Sequence, residues 1–219
     1  MILVSPHYDD VILSLPGRLA ALGARATVVV PFSDEDAEME STCLAIYRRL
    51  NVTVHPLDMP EAARRNVPMR PLLMPARGEF EGADRGLIES LAAKLAAVLT
   101  GASGLIAPAM RVHIDHAITV DALAALAPSS AALYLDQPYA ARWPRLAARA
   151  VAGRTAVPLK SDSEGAEGLI AALGSVVQKR HVQAILAYRR ERGAVAEAVW
   201  FKPDASGPVG EAGASRFSA

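Results

Sequence analysis

The sequence predicts an α/β fold, a Rossmann-like sandwich in which a mostly parallel sheet is flanked by helices. Short apolar runs alternate along the chain with segments whose apolar residues recur at helical spacing. Residues 1–57 already have the order β-α-β-α-β, which is typical of a parallel sheet covered by helices. We expect one domain over 1–202 and a flexible tail over 203–219, where glycine, serine and alanine are frequent.

In the first third of the chain, strands are predicted at 2–5, 26–32 and 52–57, the second of which contains the β-branched run Thr27-Val28-Val29-Val30. Helices are predicted at 11–22, ending at Gly23, and from the acidic residues Asp34, Glu35 and Asp36 to about Leu50, because acidic residues favour a helix N-terminus. The segment 58–83 contains four prolines. A loop of this length is usually functional or disordered.

The remaining elements continue the alternation of strands and helices. The periodicity predicts helices at 86–99, 117–126 and 168–192, and strands at 104–108, 131–135 and 195–201. A weak strand at 155–157 ends before Pro158.

Composition excludes several classes of function. The 23 basic and 23 acidic residues cancel, so no long-range positive field attracts nucleic acid or an anionic membrane surface. No aliphatic stretch approaches the roughly 20 residues that cross a bilayer, and we expect no secretion signal. The single cysteine, Cys43, excludes an internal disulfide and a cysteine-built metal site. We therefore expect a cytoplasmic protein that acts on a small molecule, and the sequence leaves its oligomeric state open.

Two short motifs contain three of the five histidines. His7-Tyr8-Asp9-Asp10 follows the first predicted strand, and His113-Ile114-Asp115-His116 follows the predicted strand at 104–108. Ligands of a parallel sheet bind outside the carboxyl ends of its strands, so we expect the two motifs to converge on one crevice.

Two imidazoles and a carboxylate suit a catalytic zinc ion. Three protein ligands leave a fourth position for water, whose pKa the ion lowers towards neutrality. We predict that His7, Asp10 and His116 are these ligands and that Asp9, which is left over, is the general base. Fe²⁺ or another divalent ion also fits such a set of ligands.

The other two motif residues have predicted roles in hydrolysis. His113, as an imidazolium, would stabilise the oxyanion that forms when water attacks a carbonyl, with Asp115 orienting and charging it. A purely structural alternative is that Asp9 and Asp10 cap the helix beginning near Val11. Cys43 lies among apolar residues of a predicted helix and has no predicted catalytic role.

Three other classes of protein fit the sequence less well than this hydrolase. Two histidines and a carboxylate also form the facial triad of non-haem iron oxygenases, but the common ones use an all-β barrel. The first turn lacks the Gly-x-Gly-x-x-Gly loop of a nucleotide-binding domain. A sugar-binding or regulatory protein without activity would keep the fold but lose part of the predicted triad or base.

The two motifs resemble those of the LmbE-like or PIG-L deacetylases, which have His-Pro-Asp-Asp after a strand and a later His-x-Asp-His. The segment 133–140, Leu-Tyr-Leu-Asp-Gln-Pro-Tyr-Ala, is also similar to a segment of that family. The resemblance implies zinc-dependent removal of an N-acetyl group from an amino sugar or its conjugate, including reactions of secondary metabolism. It implies the same roles as above for His7, Asp9, Asp10, His113, Asp115 and His116.

This chain departs from the family pattern at three positions. Tyr8 stands where the family has proline, Val11 where many members have glutamate, and Ala37 near a common arginine. None of these residues is a predicted metal ligand, so the departures concern the substrate rather than the reaction. Arg70, Arg111 and Tyr139 are candidate substrate contacts. The alternatives are a metal-dependent amidase acting on a non-sugar amide and a catalytically silent, sugar-binding member of this family.

Overall fold

A computed structural model describes residues 1–33, 36–65, 67, 85–126, 131–158 and 163–202. Within these ranges seven strands form one sheet in the order β3-β2-β1-β4-β5-β7-β6. The strands are β1 (Ile2–Val4), β2 (Thr27–Phe32), β3 (Thr53–Met59), β4 (Leu105–Pro108), β5 (Ala132–Tyr134), β6 (Thr155–Pro158) and β7 (Ala198–Phe201).

Helices connect most of these strands. They are α1 (Asp10–Ser14), α2 (Pro16–Leu22), α3 (Ala37–Arg49), α4 (Arg85–Leu99), α5 (Ile114–Ala125), α6 (Tyr139–Arg142), α7 (Pro144–Ala150), α8 (Ser163–Ala172) and α9 (Lys179–Arg192), with 3₁₀ turns at Gly23–Arg25 and Gly193–Glu197. As the acidic cluster predicts, Asp36 accepts hydrogen bonds from the first backbone N–H groups of α3.

The predicted α/β class with a mostly parallel sheet is confirmed. Strands β3, β2, β1, β4 and β5 are parallel neighbours, and β7 is antiparallel to both β5 and β6. The chain leaves β1 towards β2 on one side and returns to β4 on the other. Strands β1 and β4 therefore border the switch point, where α/β sheets bind ligands.

The hydrophobic core covers both faces of the sheet. Val28 and Val30 of β2 pack in a cluster with Leu19 of α2 and Ile46 of α3. Val29, which points the other way, packs with residues of α4 and α5. Successive side chains of a strand alternate between faces, so a sheet covered on both sides requires a continuous apolar run.

Two of the predicted helices are each divided in the structure. The one at 11–22 breaks between α1 and α2, because Pro16 lacks an N–H and begins a new helix. The one at 168–192 breaks between α8 and α9, around Gly174. A Cβ atom there would lie 3.0 Å from the carbonyl oxygen of Ala171. The short helices α6 and α7 are absent from the sequence prediction.

Three further expectations concern Cys43, the domain boundaries and membrane-spanning helices. Cys43 is fully buried in α3, in agreement with a structural role. Most of the 58–83 loop and the whole predicted tail lie outside the described residues, so the domain boundaries stay a prediction. In the described part of the chain, none of the helices has the length and hydrophobicity to cross a membrane.

A buried carboxylate joins the C-terminal part of the chain to α2. Glu197 is 1% exposed and accepts hydrogen bonds from the backbone N–H groups of Gly17 and Arg18, at 3.2 and 2.9 Å. These N–H groups belong to the first turn of α2 and have no partner within the helix. The Arg189 guanidinium of α9 lies 2.6 Å from the same carboxylate. Glu197 therefore connects α2, α9 and the segment before β7.

We predict that Glu197→Ala lowers the free energy of unfolding by about 3 kcal/mol, because it leaves the Arg189 guanidinium buried without its carboxylate. Urea denaturation measures the change. Glu191→Ala, which removes an exposed carboxylate from α9, is the matched control and is expected to change stability by less than about 0.5 kcal/mol. Equal effects of the two substitutions would contradict this account of Glu197.

Candidate metal centre and cleft

The loop after β1 is held in one shape by local hydrogen bonds. The Ser5 hydroxyl donates to the carbonyl oxygen of His7 at 2.6 Å and accepts from the N–H of Val11 at 3.1 Å. Asp10 Oδ2 accepts from the backbone N–H of His7 at 2.8 Å. This turn places the His7 ring and the Asp10 carboxylate side by side, with Nδ1 and Oδ2 3.3 Å apart.

The loop after β4 leads directly into α5. His113 is the N-cap residue, and its Nδ1 accepts a hydrogen bond from the N–H of Asp115. His116 follows in the first turn of the helix and is fully buried. The N-terminus of α5 thereby presents both histidines towards the end of β1.

The two motifs converge, as the sequence predicts. The ring centroids of His7, His113 and His116 lie 5.2–5.7 Å apart. Each ring offers a nitrogen, and the three nitrogens lie within 4.8 Å of one another. These three histidines could hold a metal ion.

One ring nitrogen of His116 has no hydrogen-bond partner within the described ranges. Its Nε2 is buried and makes no hydrogen bond with the described residues. Asp10 Oδ2 lies 3.3 Å away, without the alignment of a hydrogen bond. Two ligand atoms about 2.0–2.1 Å from one tetrahedral ion lie roughly 3.3 Å apart. Both distances from Asp10 Oδ2, to His7 Nδ1 and to His116 Nε2, have this value.

A carboxylate behind His116 fixes which nitrogen faces the centre. The Nδ1 of His116 lies 2.8 Å from Asp136 Oδ1. The other oxygen of Asp136 accepts from the backbone N–H groups of Ala109 and Met110. An ionised carboxylate can only accept, so Nδ1 carries a proton and Nε2 is the nitrogen that faces the centre, where it can hold a proton or a metal ion.

The charges of the centre favour a cation. Burial by itself lowers the pKa of His116, but the carboxylates of Asp10 and Asp136 outweigh burial and raise it to about 9. Burial likewise raises the pKa of Asp10, yet His116 and His7 outweigh it and the net shift is downward. A proton or a metal ion at this position is thus strongly stabilised by its surroundings.

The Asp115 carboxylate lies closer to His7 than to its predicted partner, His113. Its Oδ2 lies 3.1 Å from His7 Nε2 and 3.8 Å from His113 Nδ1, and it also accepts from the N–H of Ala62. Its other oxygen pairs with Arg65. Despite burial, the pKa of Asp115 is lowered, chiefly by its hydrogen bond and charge interaction with His7. Asp115 therefore orients His7 through its carboxylate, and its backbone N–H binds His113 Nδ1. Its predicted role of orienting and charging His113 stays a prediction.

The predicted imidazolium form of His113 also needs correction. Burial and the charges of His7 and His116 lower the pKa of His113 to about 3. Its Nδ1 accepts the hydrogen bond of the N-cap, so the neutral ring carries its proton on Nε2. His113 remains a hydrogen-bond donor at Nε2, but an uncharged one.

Asp9 is not used as a helix cap. It occupies the N-cap position of α1, but its side chain makes no capping hydrogen bond. Its side chain instead lines a cleft together with His7, Asp10 and His113. Burial, reinforced by the neighbouring Asp10 carboxylate, raises the pKa of Asp9 to about 6. This carboxylate is therefore available for proton transfer near neutral pH.

The cleft has a volume of about 400 Å³ and receives only some of the predicted substrate contacts. Tyr139 lines it, with its ring 5.1 Å from that of His116. Arg111 is not among its lining residues; it pairs with Asp121 of α5 and lines two other cavities. Arg70 lies outside the described residues.

Sequence reasoning missed several residues of the site. Asp136 has no predicted role beyond its place in segment 133–140, which is similar to a segment of the deacetylase family. It nevertheless follows a strand next to β4, and a position after a strand is the signal that identified the two motifs. Arg142 and Trp143 lie at the junction of α6 and α7, the two helices that the sequence does not predict, and His181 of α9 belongs to neither motif.

No family model, curated protein or solved structure matches the chain. The likeness to the LmbE-like deacetylases therefore rests on the motifs at His7 and His113 and stays a prediction. The chemistry of the site has to follow from the geometry of its own side chains.

We predict that Asp10→Asn lowers zinc affinity about 100-fold or more, because it removes the charge of a ligand that faces two ring nitrogens. His113→Asn, which keeps a capping side chain at the start of α5, is expected to leave zinc affinity nearly unchanged. Competition with a chromogenic chelator measures both, with Asp121→Asn of α5 as the carboxylate control. The opposite ranking of the two substitutions would make His113 the third ligand.

Proposed function

We propose that the protein is a metal-dependent amidohydrolase that removes an N-acetyl group from an amino sugar or an amino-sugar conjugate, as the LmbE-like deacetylases do. One observation carries the proposal. The buried Nε2 of His116 makes no hydrogen bond with any residue that the structure describes and lies 3.3 Å from Asp10 Oδ2, while the neighbouring Asp9 carboxylate is not used in capping. This combination is what a hydrolytic metal site with a separate general base requires.

His7, Asp10 and His116 would hold the ion. Two imidazoles and one carboxylate suit zinc, and Fe²⁺ is also compatible with them. A divalent ion bound there would lower the pKa of a water molecule and polarise the acetamide carbonyl. Asp115 and Asp136 support this role, since each orients one of the ligating rings from behind.

In the proposed reaction the remaining groups move protons and stabilise charge. Asp9 accepts a proton from the attacking water and then returns it to the leaving amine. The Nε2–H of His113 donates a hydrogen bond to the carbonyl oxygen as negative charge develops on it. Because His113 is neutral, it acts as a fixed donor throughout the reaction.

The shape of the cleft supports a small substrate. A volume of about 400 Å³ is within the range of small-molecule sites. Tyr139 and Trp143 contribute flat aromatic surface to it, which suits the apolar face of a sugar ring.

We predict that Asp9→Asn preserves zinc content but lowers the rate of hydrolysis about 100-fold or more, the scale of general-base catalysis. Elemental analysis and acetate release from the same sample measure the two quantities. Asp121→Asn serves again as the control and is expected to retain full activity. Full activity of Asp9→Asn would refute the proposed base, and loss of zinc would make Asp9 a ligand.

We also predict about one zinc ion per chain and chelator-sensitive release of acetate from at least one N-acetylated amino sugar. Chelation removes the ion because the ligand set has no spare member, and added zinc is expected to restore activity. A panel of N-acetylated sugars and simple non-sugar acetamides distinguishes a sugar deacetylase from a general amidase. Bound metal without release of acetate from any of these compounds would contradict the proposal.

A further inference from the structure

The outer end of the cleft carries positive charge. Arg142, at the end of α6, and Arg180, in the first turn of α9, both line it. The inner end is lined by the carboxylates of Asp9 and Asp10, and Glu61 lines another part of the wall. The cleft is therefore electrostatically polarised, with the candidate metal centre at one end and guanidinium groups at the other.

Neither arginine is neutralised by a carboxylate of the described residues. Arg142 Nη1 lies 3.3 Å from His181 Nε2, and the Arg180 Nε donates to the side-chain oxygen of Gln178 at 2.8 Å. Both partners are uncharged acceptors. Burial and the charges of Arg180 and Arg142 lower the pKa of His181, which keeps this ring neutral beside them. The positive charge thus stays available at the outer end.

An aromatic wall joins the two ends. The His116 ring lies 5.1 Å from Tyr139, and Tyr139 stacks on Trp143 with a centroid distance of 6.0 Å and an angle of 13°. The Arg142 guanidinium lies over the Trp143 ring, 5.0 Å from its centroid. These contacts hold the Arg142 side chain in a defined position along the wall.

We infer that the ligand of this cleft carries an anionic group, a phosphate or a carboxylate, which binds Arg142 and Arg180 while the opposite end of the ligand reaches the histidine centre. Guanidinium groups present paired N–H donors that match both anions. The opposite charges at the two ends give such a ligand one orientation, because its anion is repelled by Asp9 and attracted by the arginines. The inference that the end of the ligand at the histidine centre reacts rests on the proposed deacetylation. The anion site at Arg142 and Arg180 does not rest on it.

Equilibrium binding tests this inference separately from catalysis. Intrinsic fluorescence, to which Trp143 contributes, reports the binding of neutral N-acetylglucosamine and of three anionic probes. These are N-acetylglucosamine 1-phosphate, UDP-N-acetylglucosamine and N-acetylmuramic acid, which vary the position and type of the anion. All proteins carry Asp9→Asn so that the probes are not consumed during the titration.

We expect at least one anionic probe to bind about tenfold more tightly than the neutral sugar, and added salt to reduce this advantage. Arg142→Gln/Arg180→Gln is expected to abolish the advantage while leaving affinity for the neutral sugar within about twofold. Arg145→Gln/Arg190→Gln removes two exposed guanidinium groups outside the cleft lining and is expected to retain it. The probe with the greatest advantage identifies the anion.

Equal affinities for neutral and anionic probes would overturn the inference, and so would an advantage that survives Arg142→Gln/Arg180→Gln. Failure of the proposed function has a different signature. In that case the protein without Asp9→Asn releases no acetate from any substrate, whereas arginine-dependent binding of an anion persists.

Discussion

The structure around the candidate site depends on burying three carboxylates close together. Asp10, Asp115 and Asp136 are at most 4% exposed, and such a concentration of buried negative charge is costly unless it is hydrogen-bonded and paired. Each accepts at least one backbone N–H, from His7, Ala62 and Met110 respectively. The remaining charge is met by the Arg65 side chain and by the imidazole rings. A cation in the centre would complete this balance.

The parallel sheet makes this arrangement possible. The three carboxylates and their partners come from segments that follow β1, β3, β4 and β5, and the carboxyl ends of these parallel strands lie at one edge of the sheet. A loop that ends a strand has unpaired N–H groups to offer, and the N-terminus of α5 adds its own dipole. The fold therefore supplies both the acceptors and the donors of the site at the same edge.

The two ends of the cleft have different structural origins, which separates chemistry from recognition. The histidines and carboxylates lie on the loops after β1, β4 and β5 and on the first turns of α1 and α5, where small displacements would break several hydrogen bonds. Arg142 ends α6, Trp143 joins α6 to α7, and Arg180 lies in the first turn of α9; these helices lie between β5 and β7 in the chain. Changes in these helices could alter the choice of ligand without disturbing the centre.

The sequence by itself determined the α/β class, the parallel order of the first strands and the convergence of the two motifs, because hydrophobic periodicity and strand order follow from local composition. It also identified Asp9, for which the sequence allowed two roles, general base or helix cap. Only the tertiary structure decided that Asp9 caps nothing, that Asp115 serves His7 and that Asp136 serves His116. It likewise decided that Arg142 and Arg180 share a cleft with His7. These relations join residues distant in sequence, and which of several nearby partners a side chain takes depends on distances that no local pattern encodes.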